Sequence, residues 1–295
     1  MIKIINMGSV NIDYVYAVPH FVRAGETLLS SSRQIFPGGK GLNQSIAFAR
    51  AGANVSHAGK IGDDGDGCLA IMNDAGVDTR LVEKSAVPTG HAIIQVTGEG
   101  QNCILLYQGA NSMLDESFVD RALESFGEGD ILVLQNEVSC IDYAMRAANA
   151  KKMRIAFNPS PIDERILGYP LEFVTWFLLN EIEGHALTGK KEPGEILSSL
   201  GGKYAKACIV LTLGEDGACC LSEGRVLRQK ARRVSVVDTT AAGDTFTGYF
   251  VGSVASGKSL EESLGIASVA ASLAVSRTGA AVSIPTMDEV ARQFS

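Results

Sequence analysis

The sequence lacks the marks of several protein classes. Its 4 histidines and 6 cysteines are scattered through 295 residues. None of the cysteines (Cys68, Cys103, Cys140, Cys208, Cys219, Cys220) forms a CxxC pair. Structural metal sites need ligands at close spacing, so none is expected here, and neither is a disulfide framework. No apolar run approaches the roughly 20 residues that cross a bilayer; the best stretch, 264–275, carries Ser268 and Ser272. The opening Met1-Ile-Lys-Ile-Ile-Asn6 has no signal-peptide core, so a cytoplasmic protein is expected. Basic residues are outnumbered, 26 to 33, giving a net charge of −7. That balance disfavours nucleic-acid or anionic-membrane surfaces, which need clustered Lys and Arg. It does not disfavour a small anion held by backbone N–H groups. Internal repeats, low-complexity tracts and a GxGxxG fingerprint are also missing, which counts against a nicotinamide dehydrogenase.

A hydrophobic fraction of 46% with 20% charge supplies a packed core. The length suits two domains, or one large α/β domain with an appendage. Strand-like segments at 3–8, 55–61, 130–136, 154–158, 176–180 and 208–213 alternate with helix-like segments at 41–51, 67–75, 141–150, 181–187 and 194–204. This βαβα rhythm predicts a mostly parallel sheet between helical layers. The strands are apolar on both faces, as central buried strands are. Cys219 and Cys220 read as strand residues, one facing each way. Residues 14–36 and 91–107 break the rhythm. They read as helix-free antiparallel strands, either a small β-lid or edge strands of the main sheet. Near the C-terminus, 243–255 and 260–277 read as two long helices, followed by a short polar one at 286–294.

Four segments carry chemistry. In Val237-Asp-Thr-Thr-Ala-Ala-Gly-Asp244 a strand-like run ends at Asp238, small residues follow, and a helix begins near Gly243. Small side chains let a phosphate reach the free N–H groups of a first helical turn. Asp244 is then either an N-cap or a base taking a proton from a nucleophile that attacks that phosphate. In Pro37-Gly-Gly-Lys-Gly-Leu-Asn-Gln44 two glycines permit close approach, and Lys40 and Asn43 can donate to hydroxyls. The plain alternative is a Gly-rich helix start. Gly8-Ser-Val-Asn-Ile-Asp13 closes the first strand, placing Asn11 and Asp13 where ligands of open α/β sheets bind; Glu137 ends another strand. Asn180-Glu-Ile-Glu183 reads by itself as a helix start with acids in its first turn, and otherwise as a holder of hydrated Mg²⁺.

Gly252-Ser-Val-Ala-Ser-Gly-Lys-Ser259 matches the P-loop pattern GxxxxGK[ST], but the preceding residues read as helix rather than strand. Gly257 and Ser259 then become a helix stop and the next helix's N-cap. The match is a coincidence.

Taken in order, Gly38-Gly-Lys-Gly-Leu-Asn-Gln44 and Asp238-Thr-Thr-Ala-Ala-Gly-Asp244 resemble the N- and C-terminal signatures of the PfkB family of sugar kinases, most closely its ribokinase branch. Between them, the segments 59–67, 158–161, 180–183 and 212–217 resemble further motifs of that family. The resemblance implies a three-layer α/β/α ribokinase-like fold over 1–295, with a β-lid from 14–36 and 91–107. It implies ATP-dependent phosphorylation of the primary hydroxyl of a free pentose, D-ribose foremost. Asp244 would be the base, and Ala241, Ala242 and Gly243 the anion hole. Asn11, Asp13, Gly39, Lys40, Asn43, Glu137 and Asp244 would hold the sugar. Asn180, Thr212, Gly214, Gly217, Gly243 and Ser268 would line the ATP site, with Glu183 orienting Mg²⁺ through water. Asp238, Thr240, Ala274, Arg277, Gly279 and Ser283 would surround an activating K⁺. A homodimer through the lid is implied as well. Deoxyribose, another free sugar and a nucleoside are the alternative substrates, and a non-catalytic sugar-binding protein is the alternative class.

Two departures from the family pattern stand out. Tyr249 replaces a small residue, which should alter helix packing, and Ser268 replaces a frequent Asn near the adenine.

Overall fold

The computed structural model describes residues 2–294. The chain opens with β1 (Lys3–Met7), β2 (Asn11–Val18) and β3 (Ser32–Gly38), followed by α1 (Lys40–Arg50), β4 (Asn54–Ile61), α2 (Asp66–Asp74) and β5 (Asp78–Lys84). A hairpin, β6 (Gly90–Thr97) and β7 (Asn102–Tyr107), precedes α3 (Glu116–Leu123), β8 (Ile131–Gln135), α4 (Ile141–Ala150), β9 (Arg154–Asn158) and β10 (Trp176–Asn180). Next come α5 (Glu181–Thr188), α6 (Pro193–Lys203), β11 (Cys208–Thr212), β12 (Ala218–Ser222) and β13 (Arg225–Gln229). Three helices end the chain: α7 (Ala242–Ala255), α8 (Leu260–Val275) and α9 (Met287–Phe294).

The main sheet has nine strands in the order β13-β12-β11-β10-β9-β8-β1-β4-β5. Its pairs are parallel from β5 to β11 and antiparallel beyond. Strand alternation sends Ile4, Val133 and Val210 into one core and Ile5, Leu134 and Leu211 into the other. Against the first core pack Leu42, Phe48, Phe250 and Leu264; against the second, Phe118, Ile141 and Ile196. The result is the expected three-layer α/β/α arrangement. Each such side chain stabilises by about 1.5–3 kcal/mol when fully buried. Cys219 and Cys220 face opposite cores, as expected. Among the described residues no helix is long and apolar enough to cross a membrane.

A second sheet, β3-β2-β6-β7, stands apart. Here β2 runs antiparallel to β3 and parallel to β6, joining the two helix-free stretches. One expectation is corrected: Asn11 and Asp13 do not close β1 but open β2 of the small sheet. The chain leaves the main sheet at residues 8–10, and α1 packs directly on that turn. A side chain at Gly41 would run into the backbone of Gly8 and Ser9, so only glycine permits the approach.

A second correction concerns the approach to the glycine turn. Residues up to Asp238 form no strand; the amides of Val237 and Asp238 instead share the Val275 carbonyl, at 2.8 and 3.2 Å. The helix expected to reach 277 accordingly stops at Val275. The P-loop-like match is a helix junction, with Gly257 at φ 87° and Ser259 capping α8 through a capping box with Glu262. Tyr249 is fully buried and donates its hydroxyl to the Pro285 carbonyl at 2.6 Å, which is a packing role.

Candidate active site

The turn into α7 bends through Ala241, a non-glycine residue at φ 60°. No side chain caps this helix; the Ala242 amide turns back to the Thr239 carbonyl at 3.3 Å, and the first bond of the helix proper is Thr245 N to Ala241 O, at 2.8 Å. The amides of Gly243 and Asp244 precede it. As first-turn donors at the positive end of a helix dipole they suit an anion. Non-glycine left-handed backbone is uncommon, and such strain concentrates where geometry serves function.

Asp244 is 7% exposed, at the floor of a cavity of about 210 Å³. Its carboxylate is gripped at both oxygens. Asn43 Nδ2 donates to Oδ2 and Gln44 Nε2 to Oδ1, each at 3.0 Å. Asn43 Oδ1 is buried without a hydrogen-bond partner among the described residues, an acceptor suited to an incoming hydroxyl. The cavity walls include Lys40, Asn158, Asn180, Glu183, Thr212 and the 241–243 turn. Burial pulls the Lys40 ammonium down, but the charges of Asp244, Glu137 and Glu183 together lift it above its ordinary value. It is a firmly charged cation beside the anion turn.

Glu137 follows β8 and is buried. Its Oε2 accepts from the Lys40 amide at 3.1 Å and from the Ser9 hydroxyl. Burial raises its pKa, opposed by Lys40 and Ser9. Asp13 is pushed up to about 7 by burial and then by the Glu137 charge. Asn11 is 3% exposed, and its Oδ1 accepts from Asn111 Nδ2 at 2.8 Å. Gly39, at φ 93°, leads into α1 against Ser9 and Asn11, so Asn11, Asp13, Lys40, Asn43 and Glu137 gather around one turn.

Asn180 and Glu183 form a reciprocal capping box on α5. Glu183 Oε2 accepts from Asn180 N at 2.9 Å and Oε1 from Asn180 Nδ2 at 3.2 Å, while the side chain still lines the cavity. Asp238 ties two loops: Oδ1 takes Thr240 N and Oγ1 at 2.9 and 2.6 Å, and Oδ2 takes Gly279 N at 2.9 Å. Burial raises its pKa, but these hydrogen bonds win and hold it below the usual value. Arg277 pairs its guanidinium with Glu289, at 2.6 Å. Ala274 lies in the last turn of α8, and Ser283 is buried with its hydroxyl on Ala280 O at 2.8 Å. Of the expected nucleotide residues, Asn180, Thr212 and Gly243 line the cavity; Gly214, Gly217 and Ser268 do not.

Ser9, Gln44, Asn111 and Asn158 escaped the sequence reading as site residues. Neighbours on a helix diverge by about 100°, so periodicity gives no hint that Asn43 and Gln44 converge on one carboxylate. Asn111 lies in a short 3₁₀ turn after the small sheet, and nothing in its local sequence points to Asn11.

An anion-binding helix start facing a buried carboxylate, at the carboxyl ends of a parallel sheet, is the layout of a group-transfer enzyme acting on an alcohol. The chain belongs to the pfkB family of carbohydrate kinases, whose family model matches residues 1–287. It is a phosphotransferase with an alcohol group as acceptor. A ribokinase from Haemophilus influenzae is 35% identical over 294 residues, covering 96% of this chain and 95% of that protein. A deoxyribokinase from Salmonella typhi is 30% identical over 293 residues, covering 96% and 95%. The structure of an Arabidopsis thaliana ribokinase complexed with ribose and ATP superposes with a TM-score of 0.85 at 28% identity, covering 100% of this chain and 98% of that one.

Proposed function

We propose that this protein transfers the γ-phosphoryl group of ATP to the primary hydroxyl of D-ribose, forming D-ribose 5-phosphate. The observation that carries this reading is the Asp244 carboxylate, held by two amides beside the open amides of α7 and facing Lys40. Asp244 takes the proton of the attacking hydroxyl. The amides of Gly243 and Asp244, beyond the bend formed by Ala241 and Ala242, stabilise charge on the phosphoryl oxygens as the group moves. Asn11, Asp13, Lys40, Asn43 and Glu137 with the Gly39 backbone bind the sugar hydroxyls. Asn180, Thr212 and Gly243, which line the cavity, border the nucleotide, and Gly214, Gly217 and Ser268 would meet it outside that lining.

Glu183 has one hydrogen bond on each oxygen, which leaves lone pairs for water and suits a metal held through its hydration shell. Mg²⁺ bound there with ATP would neutralise charge between the phosphates. The Asp238 carboxylate, tied to Thr240 and Gly279, with the carbonyls of Thr240, Ala274, Arg277 and Gly279 and with Ser283, offers only oxygens, which would suit a hard cation. K⁺ in that set would add positive charge behind the anion turn.

A homodimer through the small sheet is part of the same reading. The edge strand β7 is exposed along its whole length, including Ile104, Leu105, Leu106 and Tyr107. Open apolar edges invite pairing with a second copy. The six free thiols suit a reducing compartment such as the cytoplasm.

A coupled ADP-release screen across D-ribose, 2-deoxyribose, hexoses and nucleosides, with Mg²⁺ and with K⁺ or Na⁺, tests the function. D-ribose should give the highest kcat/KM, and K⁺ should raise it. Faster turnover of 2-deoxyribose or a nucleoside would reassign the substrate, and no ADP release with any sugar would leave only a binding protein.

A further inference from the structure

Behind Gln44 runs a chain of buried polar side chains that the reaction scheme does not use. Asn6 on β1, Gln44 and Ser45 on α1, His57 on β4 and Gln135 on β8 are all 0% exposed. Gln44 Nε2 donates to Asp244 Oδ1 at 3.0 Å and to Asn158 Oδ1 at 3.4 Å. At its other end, Gln44 Oε1 accepts from Gln135 Nε2 at 2.7 Å. Gln135 Nε2 also donates to Asn6 Oδ1 at 2.8 Å. Asn6 Nδ2 donates to Ser45 Oγ and to the Gly41 carbonyl, both at 2.8 Å, and Ser45 Oγ lies 2.8 Å from His57 Nδ1.

The hydrogen-bond direction of this chain is set at one end. An ionised carboxylate only accepts, so Gln44 must turn its amino group to Asp244. Its oxygen then needs a donor, and Gln135 supplies one. The second Gln135 hydrogen orients Asn6, and Asn6 orients Ser45. The Ser45 proton is left for His57 Nδ1. Burial pushes His57 down to about 4, so the ring is neutral and can accept it.

Gln135 performs this task at a cost. Its Oε1 is buried with no hydrogen-bond partner among the described residues, and it faces Gly8, where a side chain would collide with it. A buried orphan of this kind costs about 1–3 kcal/mol. An apolar side chain at position 135 would remove that orphan but strip Gln44 Oε1 and Asn6 Oδ1 of their donor, so Gln135 satisfies two buried acceptors and, through the first of them, fixes the orientation of Gln44.

We propose that Gln135 is a positioning residue for the reaction: by occupying Gln44 Oε1 it locks the Gln44 amide in the orientation that aims the Asp244 carboxylate at the sugar hydroxyl. The proposal rests on Asp244 being the base. It goes beyond that reading because Gln135 makes no hydrogen bond to the base and is not among the residues that line the cavity.

The test uses the full chain and two replacements. Gln135→Met approximates the shape; Gln135→Glu keeps it and exchanges the amino group for oxygen. In a variant that melts cooperatively like the parent, kcat should fall about tenfold or more. The D-ribose Kd from calorimetry and the KM for ATP should stay within about threefold, a split that general loosening of the fold would not produce. Gln44→Met combined with Gln135→Met should lie within about twofold of Gln44→Met alone, because Gln135 acts only through Gln44. Near-normal kcat in a folded Gln135 variant, or losses that multiply in the double variant, would overturn the proposal. Asp244→Asn, assayed alongside, separates the two ideas. If it keeps turnover, the base assignment fails; if it is inactive while a folded Gln135 variant works normally, only the positioning role fails.

Discussion

Asn111 donates its side-chain amide to Asn11 Oδ1 at 2.8 Å while its own Oδ1 accepts from the Val10 amide at 3.0 Å. The backbone bond fixes which way the Asn111 amide points, and that in turn fixes Asn11. With its oxygen occupied, what Asn11 has left to offer a ligand is its N–H donors. A residue after the β6–β7 hairpin therefore sets the hydrogen-bonding character of a residue on β2.

Replacing Asn111 with Leu should free the Asn11 amide to turn. The preference for D-ribose over 2-deoxyribose in kcat/KM is then expected to shrink about fivefold, the worth of one hydrogen bond of roughly 1 kcal/mol. Competition assays with both sugars measure this directly. An unchanged ratio would show that Asn11 does not depend on Asn111.

Asp244→Asn preserves shape and removes the proposed base. Turnover should drop by about 10²–10⁴-fold, the usual contribution of a positioned acid or base. D-ribose affinity from calorimetry should change little.

Asp13 gives a pH signature. Its folded-state pKa is raised to about 7, from an ordinary value of 3.8. Between those values the folded chain holds a proton that the unfolded chain releases. This group's contribution to stability therefore falls as pH rises from about 4 to about 7, then levels off. If the ionised form accepts the sugar hydroxyls, D-ribose affinity should run the other way, weakening by about tenfold from pH 7.5 to 6. Asp13→Asn should flatten both curves, which melts and calorimetry across that range would reveal.

Ala241 occupies left-handed backbone at a cost of roughly 1–2 kcal/mol. Ala241→Gly relieves that cost but adds freedom to the unfolded chain. A net gain of about 0.5–1 kcal/mol is expected, read as a higher Tm, with activity retained because only backbone amides serve there. A lower Tm would mean that the Ala241 methyl group packs usefully.

Leu105→Glu on the exposed edge strand should convert a dimer to a monomer in sedimentation experiments, since a like charge would face its copy across the interface. A parent protein that is already monomeric would remove the dimer from the proposed function.

Much of the fold was legible because buried strands must be apolar on both faces. The segments that became β1, β8, β10 and β11 stand out for that reason. The half-exposed β5, the short α3 and the Arg-bearing edge strand β13 carry mixed patterns, and only their neighbours decide them. The run before Asp238 has the Val content of a strand, yet it lies against the end of α8, with Val236 and Val237 exposed. Local propensity cannot see that partner.

The sequence by itself determined the layered α/β architecture, the family, and the residue types at the glycine turns. Those follow from local chemistry: a phosphate needs small residues at a helix start, and a buried strand needs apolar ones. Tertiary structure alone decided that Asn43 and Gln44 close on the two oxygens of Asp244, about 200 positions away, with Gln135 and Asn111 holding side chains they are remote from in sequence. Hydrogen bonds are short-range and directional, so they depend on which strands lie side by side, and no window of sequence contains that information.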